Sequence, residues 1–70
     1  MVNTTKIKAY ITKANYSFVD LAVILNITVK RLENKINNKT DFYVSEIDLL
    51  CQLLSIPISE RNDVFFKDIS

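Results

Sequence analysis

The sequence predicts an all-α fold of five short helices, and three observations carry that reading. Apolar residues recur at helical spacing, as in Ile7-Tyr10-Ile11-Ala14 and Ile47-Leu50-Cys51-Leu54. Helix-start signals, each a Ser or Thr set between an apolar residue before it and another after it, recur along the chain. The chain has no glycine, and Asn15, Asn26 and Asn38 stand where helices need a left-handed residue in order to stop. No segment alternates convincingly as a strand.

The first helix is expected from about Thr4 to Ala14, with Ile7, Tyr10, Ile11 and Ala14 on one face. Ser17 followed three residues later by Asp20 resembles a capping box, so a second helix should run from about Phe18 to Leu25. Thr28 is a suitable N-cap for a third helix, from about Val29 to Asn37. A loop from Asn38 to Val44 follows. Ser45 and Asp48 repeat the capping pattern and predict a fourth helix from about Glu46 to Leu54. A short fifth helix should start near Ser59 and extend toward Phe66. The pairs Tyr16/Leu21, Ile27/Leu32 and Val44/Leu49 straddle the three caps at the spacing of a hydrophobic staple.

The second and third helices are joined only by Asn26-Ile27-Thr28, which is the layout of a helix-turn-helix at residues 17–37. The local choices agree with one another. Ala22 is small where two helices must cross closely, Leu21 and Leu25 face the core, and Ile27 plugs the corner. Leu32 and Ile36 bury the inner side of the third helix.

Three stretches carry a family resemblance: Ser17-Phe18-Val19-Asp20-Leu21-Ala22, Leu25-Asn26-Ile27-Thr28, and Leu32-Glu33-Asn34-Lys35-Ile36-Asn37-Asn38-Lys39. They resemble the Xre-type family of lambda-repressor-like domains. Phe42 to Ile47 and Leu54 to Pro57 are similar to the fourth helix of that fold, and Val64-Phe65-Phe66 to the end of short phage regulators from low-GC Gram-positive hosts. The resemblance covers about residues 4–66. It implies a five-helix lambda-repressor-like domain, usually dimeric, with the third helix in the major groove of double-stranded operator DNA. That helix offers Thr28, Lys30, Arg31, Asn34, Lys35 and Asn37, with Lys39 just beyond it. Arg and Lys can read guanine, Asn can read adenine, and the rest can hold phosphates.

Some residues depart from the family pattern. Phe18 stands where a DNA-meeting glutamine is common, and Val19, Val23 and Ile24 stand where charged or polar residues are usual. Val29 occupies a forward position of the third helix, and Glu33 would repel phosphates. An apolar patch of this kind marks a protein interface. It sets an alternative beside the DNA-binding regulator: an antirepressor that covers a partner repressor's helix-turn-helix through Phe18, Val19, Val23, Val29 and Glu33.

Composition bounds the rest. Seventy residues make one domain. A chain this short buries only about 60% of its unfolded surface, so a partner subunit, for instance in a homodimer, is one source of added stability. Cys51 is alone and there is no histidine, so no internal disulfide can form and neither a structural metal nor any other cofactor is expected. Cys51 reads as a small core residue. Lys6, Lys8 and Lys13 interrupt any leader-like apolar run, and no stretch reaches the ~18 apolar residues of a membrane span. A cytoplasmic protein is therefore expected. Without histidine, Gly-rich loops or a paired-carboxylate cleft, neither an enzyme nor a small-molecule substrate is expected. The net charge of +1 hides a division. Residues 1–40 hold Lys6, Lys8, Lys13, Lys30, Arg31, Lys35 and Lys39 against Asp20 and Glu33. Residues 41–70 hold Arg61 and Lys67 against Asp41, Glu46, Asp48, Glu60, Asp63 and Asp68. A basic half beside an acidic half suits a polyanionic partner on one face.

Overall fold

A computed structural model describes residues 1–66 of the chain. It is all-helical, in the order α1 (Thr4–Lys13), α2 (Phe18–Leu25), α3 (Val29–Ile36), α4 (Val44–Leu53) and α5 (Ile58–Phe65). Among the described residues there is no strand, and no helix is long and apolar enough to cross a membrane.

Side chains start the first three helices. The Asn3 carboxamide accepts from the backbone N–H of Lys6 at 3.2 Å. Ser17 and Asp20 form the expected reciprocal box: Ser17 Oγ accepts from Asp20 N at 3.1 Å, and the Asp20 carboxylate accepts from Ser17 N at 3.0 Å. Thr28 Oγ1 accepts from Arg31 N at 3.1 Å. Each bond satisfies a donor that a helix N-terminus would otherwise leave without an intrahelical partner.

Four helices stop in one way. Asn15, Asn26, Asn38 and Ser55 have φ of 62°, 58°, 65° and 53°. The residue after each donates back to a carbonyl five positions earlier: Tyr16 to Ile11 at 3.2 Å, Ile27 to Ala22 at 3.0 Å, Lys39 to Asn34 at 2.8 Å and Ile56 to Cys51 at 3.0 Å. This is the Schellman closure, with asparagine at three of the ends and serine at the fourth in the place glycine usually takes. The three asparagines were legible as stops. Ser55 was not, because serine carries no comparable preference for the left-handed region.

The start of α4 differs from expectation. The helix begins at Val44, two residues early, and its N-cap is Tyr43. The carboxylate of Glu46 accepts from Tyr43 N at 2.8 Å, so the capping acid is Glu46 and not Asp48. Ser45 is inside the helix, Asp48 is engaged by Arg61 at 2.8 Å, and Val44 is exposed. The pair that straddles this cap at staple spacing is therefore Phe42/Ile47 rather than Val44/Leu49. The other boundaries agree to within a residue.

All five helices contribute to one apolar core. Ile7 of α1, Leu21 of α2, Leu32 and Ile36 of α3, Leu50 of α4 and Val64 of α5 are fully buried. Ala22 is buried where α2 packs on α3, as its size predicted. Phe42, before α4, meets Phe65 of α5 edge to face with ring centroids 5.7 Å apart. The N-terminal residues tie α3 to the rest. Val2 N donates to the Asn38 side-chain oxygen at 2.7 Å while the Asn38 amide donates back to Val2 O at 3.0 Å. Thr4 Oγ1 donates to Ile36 O at 2.7 Å, and Asn3 N donates to Val64 O at 2.7 Å.

Candidate functional site

Helix α3 is strongly two-sided. Leu32 and Ile36 fill the core, and the other side carries most of the polar residues singled out from the sequence. Thr28, Lys30, Arg31, Asn37 and Lys39 are exposed, while Asn34 and Glu33 are half-buried. The three-residue turn sets α2 directly against α3.

Lys35 departs from the expected set. It is buried, and its ammonium donates to Glu46 Oε1 at 2.8 Å and to Asp41 O at 3.1 Å. The Phe42 and Tyr43 rings sit 5.7 and 4.5 Å from it. Buried, and with two of its three donors engaged inside the fold, Lys35 acts as an internal brace and is not part of the open surface of α3. The helical wheel already carried the signal: positions 32, 35 and 36 share one side of α3.

Arg31 lies at the centre of what remains. On one side it shares a groove with Ala22, Val23, Asn26, Ile27 and Thr28. On the other it shares a groove with Ile27, Asn34, Lys35, Thr40, Asp41 and Tyr43. Tyr43, Thr40 and Asp41, from the segment between α3 and α4, thus join the candidate surface. Tyr43 is 72% exposed, so its ring and hydroxyl are available beside Asn34 and Arg31.

Helix α2 presents a different chemistry. Val19 and Val23 are 60% and 74% exposed, and Ile24 is 41% exposed. Asp20 lies on the same side. Its carboxyl is held below the ordinary value of 3.8, chiefly by the backbone N–H of Ser17 and then by the Ser17 hydroxyl. Phe18 and Val29, which the sequence had assigned to the apolar patch, are instead half-buried against the core. The open apolar surface is therefore smaller than expected and centres on Val23, the most exposed of the α2 aliphatic residues.

Folding also rearranges the charge division. Lys6 pairs with Glu60 at 3.3 Å and with Asp63 at 3.9 Å, Lys35 with Glu46, and Arg61 with Asp48. The acidic half thereby neutralises part of the basic half. Among the described residues, Lys8, Lys13, Lys30, Arg31 and Lys39 form no ion pair, and the last three cluster about α3.

No family model, curated protein or solved structure matches this chain.

Cys51 is half-buried against the core. Burial pushes its thiol above the ordinary value, with the neighbouring Arg61 pulling the other way and Asp48 reinforcing the rise. A thiol so placed is protonated at neutral pH and a poor nucleophile.

Proposed function

We propose that α2, the Asn26-Ile27-Thr28 turn and α3 act as a helix-turn-helix, and that the protein is a small transcriptional regulator of the phage-repressor type that binds double-stranded DNA through α3. The observation that carries the reading is the composition of the outward face of α3. Thr28, Lys30, Arg31, Asn34 and Asn37 are hydrogen-bond donors suited to base edges and phosphates, and they project from a short helix whose opposite side is locked into the core. Lys30, Arg31 and Lys39, which form no ion pair among the described residues, supply the positive charge that a phosphate backbone attracts. The half-buried Glu33 is the one acid within α3.

The test is a titration with DNA from upstream of the protein's own gene at several salt concentrations. Specific binding should weaken steeply as salt rises. Equal affinity for unrelated DNA at every salt concentration would sink the reading.

A second reading rests on the exposure of Val19, Val23 and Ile24. These three side chains give α2 an exposed apolar face that suits a protein partner, as in an antirepressor that covers a partner repressor. Loss of that repressor's own DNA complex on adding this protein, with no new complex appearing, is the outcome that would favour it.

A further inference from the structure

The exposed side of α2 is bounded by charges of opposite sign. At its N-terminal end lies Asp20, with one carboxylate oxygen accepting from Ser17 N and the carboxylate itself exposed. At its C-terminal end, Val23 shares a groove with Arg31, whose guanidinium is exposed and forms no ion pair among the described residues. Val23 thus stands between the acid and the cation: one helical turn from Asp20 along α2, and across the groove from Arg31.

From this layout we infer that the α2 face is self-complementary and pairs with a second copy of this chain across a two-fold axis near Val23. The inference adds to the DNA-binding reading and, in one respect, rests on it. A two-fold operation lays the two α2 helices antiparallel and brings each Asp20 to the Arg31 end of the other copy. Val23 meets its own equivalent at the centre, flanked by Val19 and Ile24 from both sides. The two charge pairs are symmetry-equivalent, so one acid and one cation per chain suffice to fix orientation and register.

The patch is small. Three aliphatic side chains per copy fall short of the ~800 Å² per partner of a standard interface, so the dimer is weak and depends on concentration. Arg31 belongs both to this contact and to the DNA-reading face of α3. Pairing therefore withdraws Arg31 from DNA, and the two associations compete.

Charge exchange tests the pairing without DNA. Sedimentation equilibrium of the full chain should show a concentration-dependent monomer–dimer equilibrium. Asp20→Arg and Arg31→Asp should each weaken it by about tenfold or more, because like charges then face each other. Mixed one to one, the two variants should regain most of the lost association, since the mixed dimer restores both opposite-charge contacts. Asp20→Arg also removes half of a helix cap, so Val23→Lys provides a second probe at an exposed site that caps nothing, and it too should abolish the dimer. A wild-type protein that stays monomeric, or two variants that fail to recover on mixing while circular dichroism shows both folded, would overturn the inference. A wild-type dimer that survives Val23→Lys would overturn it as well, by assigning the interface elsewhere. The outcome is independent of whether α3 reads DNA. Competition is then measured by adding duplex DNA to the wild-type dimer, which should dissociate. A dimer that binds DNA with Arg31 still paired would overturn the competition alone.

Discussion

Lys35 Nζ lies 2.8 Å from Glu46 Oε1, and both side chains are buried. The contact joins the end of α3 to the start of α4 across the intervening loop. Each partner also serves the backbone: Lys35 donates to Asp41 O, and Glu46 accepts from Tyr43 N. The buried ion pair thus joins the apolar packing of Leu32 and Ile36 and the N-terminal hydrogen bonds in holding the candidate DNA-reading helix against the rest of the fold.

Breaking that pair from one side should be costly. Lys35→Met leaves the Glu46 carboxylate buried without its cation, and Glu46→Gln leaves the Lys35 ammonium without its anion. Each is expected to cost about 3–5 kcal/mol, a large share of the roughly 5–15 kcal/mol that holds a small domain folded. The double variant keeps an acceptor for Tyr43 N and leaves no buried charge. It should lose much less than the sum of the singles. Denaturant unfolding of all four proteins measures the coupling, and additive losses would contradict a shared network.

The left-handed asparagines should respond differently to glycine. Asn26 and Asn38 share the same backbone region, with φ of 58° and 65°. Among the described residues only Asn38 uses its side chain, in the reciprocal pair with Val2. Asn26→Gly keeps all that the turn requires and should change stability by no more than about 0.5 kcal/mol. Asn38→Gly keeps the backbone but forfeits two hydrogen bonds, a loss of about 1–3 kcal/mol. Thermal melts that rank the two variants in the opposite order would show that the N-terminal clasp contributes nothing.

The cap of α2 should be sensitive to acid. The Asp20 pKa is lowered on folding, so its stabilising effect is complete above the ordinary value of 3.8 and fades as pH falls through the lower folded value. Protonation removes the charge that the Ser17 N–H and the helix N-terminus favour. Wild type should therefore melt above Asp20→Asn at pH 6, and the difference should shrink toward zero as the pH is taken below 3.8. A gap that stays constant across that range would place the effect of Asp20 elsewhere than in its charge.

Local signals made most of this fold legible. Ser17, Asp20 and Thr28 announce helix starts because their side chains can reach only the nearby backbone, and Asn15, Asn26 and Asn38 announce stops because few other residues tolerate a left-handed backbone. What sequence reading missed depends on tertiary contact. Glu46 rather than Asp48 caps α4, because Lys35 and Tyr43 N converge on its carboxylate from outside its own helix. Phe18 and Val29 looked like surface anchors because position in a motif says nothing of how closely two short helices pack. Lys35 looked like a DNA contact for the same reason. Tyr43 joined the candidate surface only when the loop folded back beside Arg31 and Asn34.

Four substitutions then separate DNA contact from support. Lys30 is exposed and unpaired among the described residues, so Lys30→Ala should weaken binding to all sequences alike and reduce the slope of log affinity against log salt by about one. Asn34 is half-buried at the edge of the groove that it shares with Arg31 and Tyr43. If it reads an adenine, Asn34→Ala should cost about 1–3 kcal/mol on the specific site and almost nothing on unrelated DNA. Glu33→Gln should strengthen binding modestly at low salt by removing a repulsive charge. Lys35→Met should lower the melting temperature yet leave the salt slope of the folded fraction unchanged, because its ammonium is committed to Glu46 and Asp41. Fluorescence titrations at several salt concentrations, done well below each variant's melting temperature, measure all four effects. If Lys35→Met alone flattened the salt dependence, the brace would open on DNA. If neither Lys30 nor Asn34 changed affinity, α3 would not be the reading element.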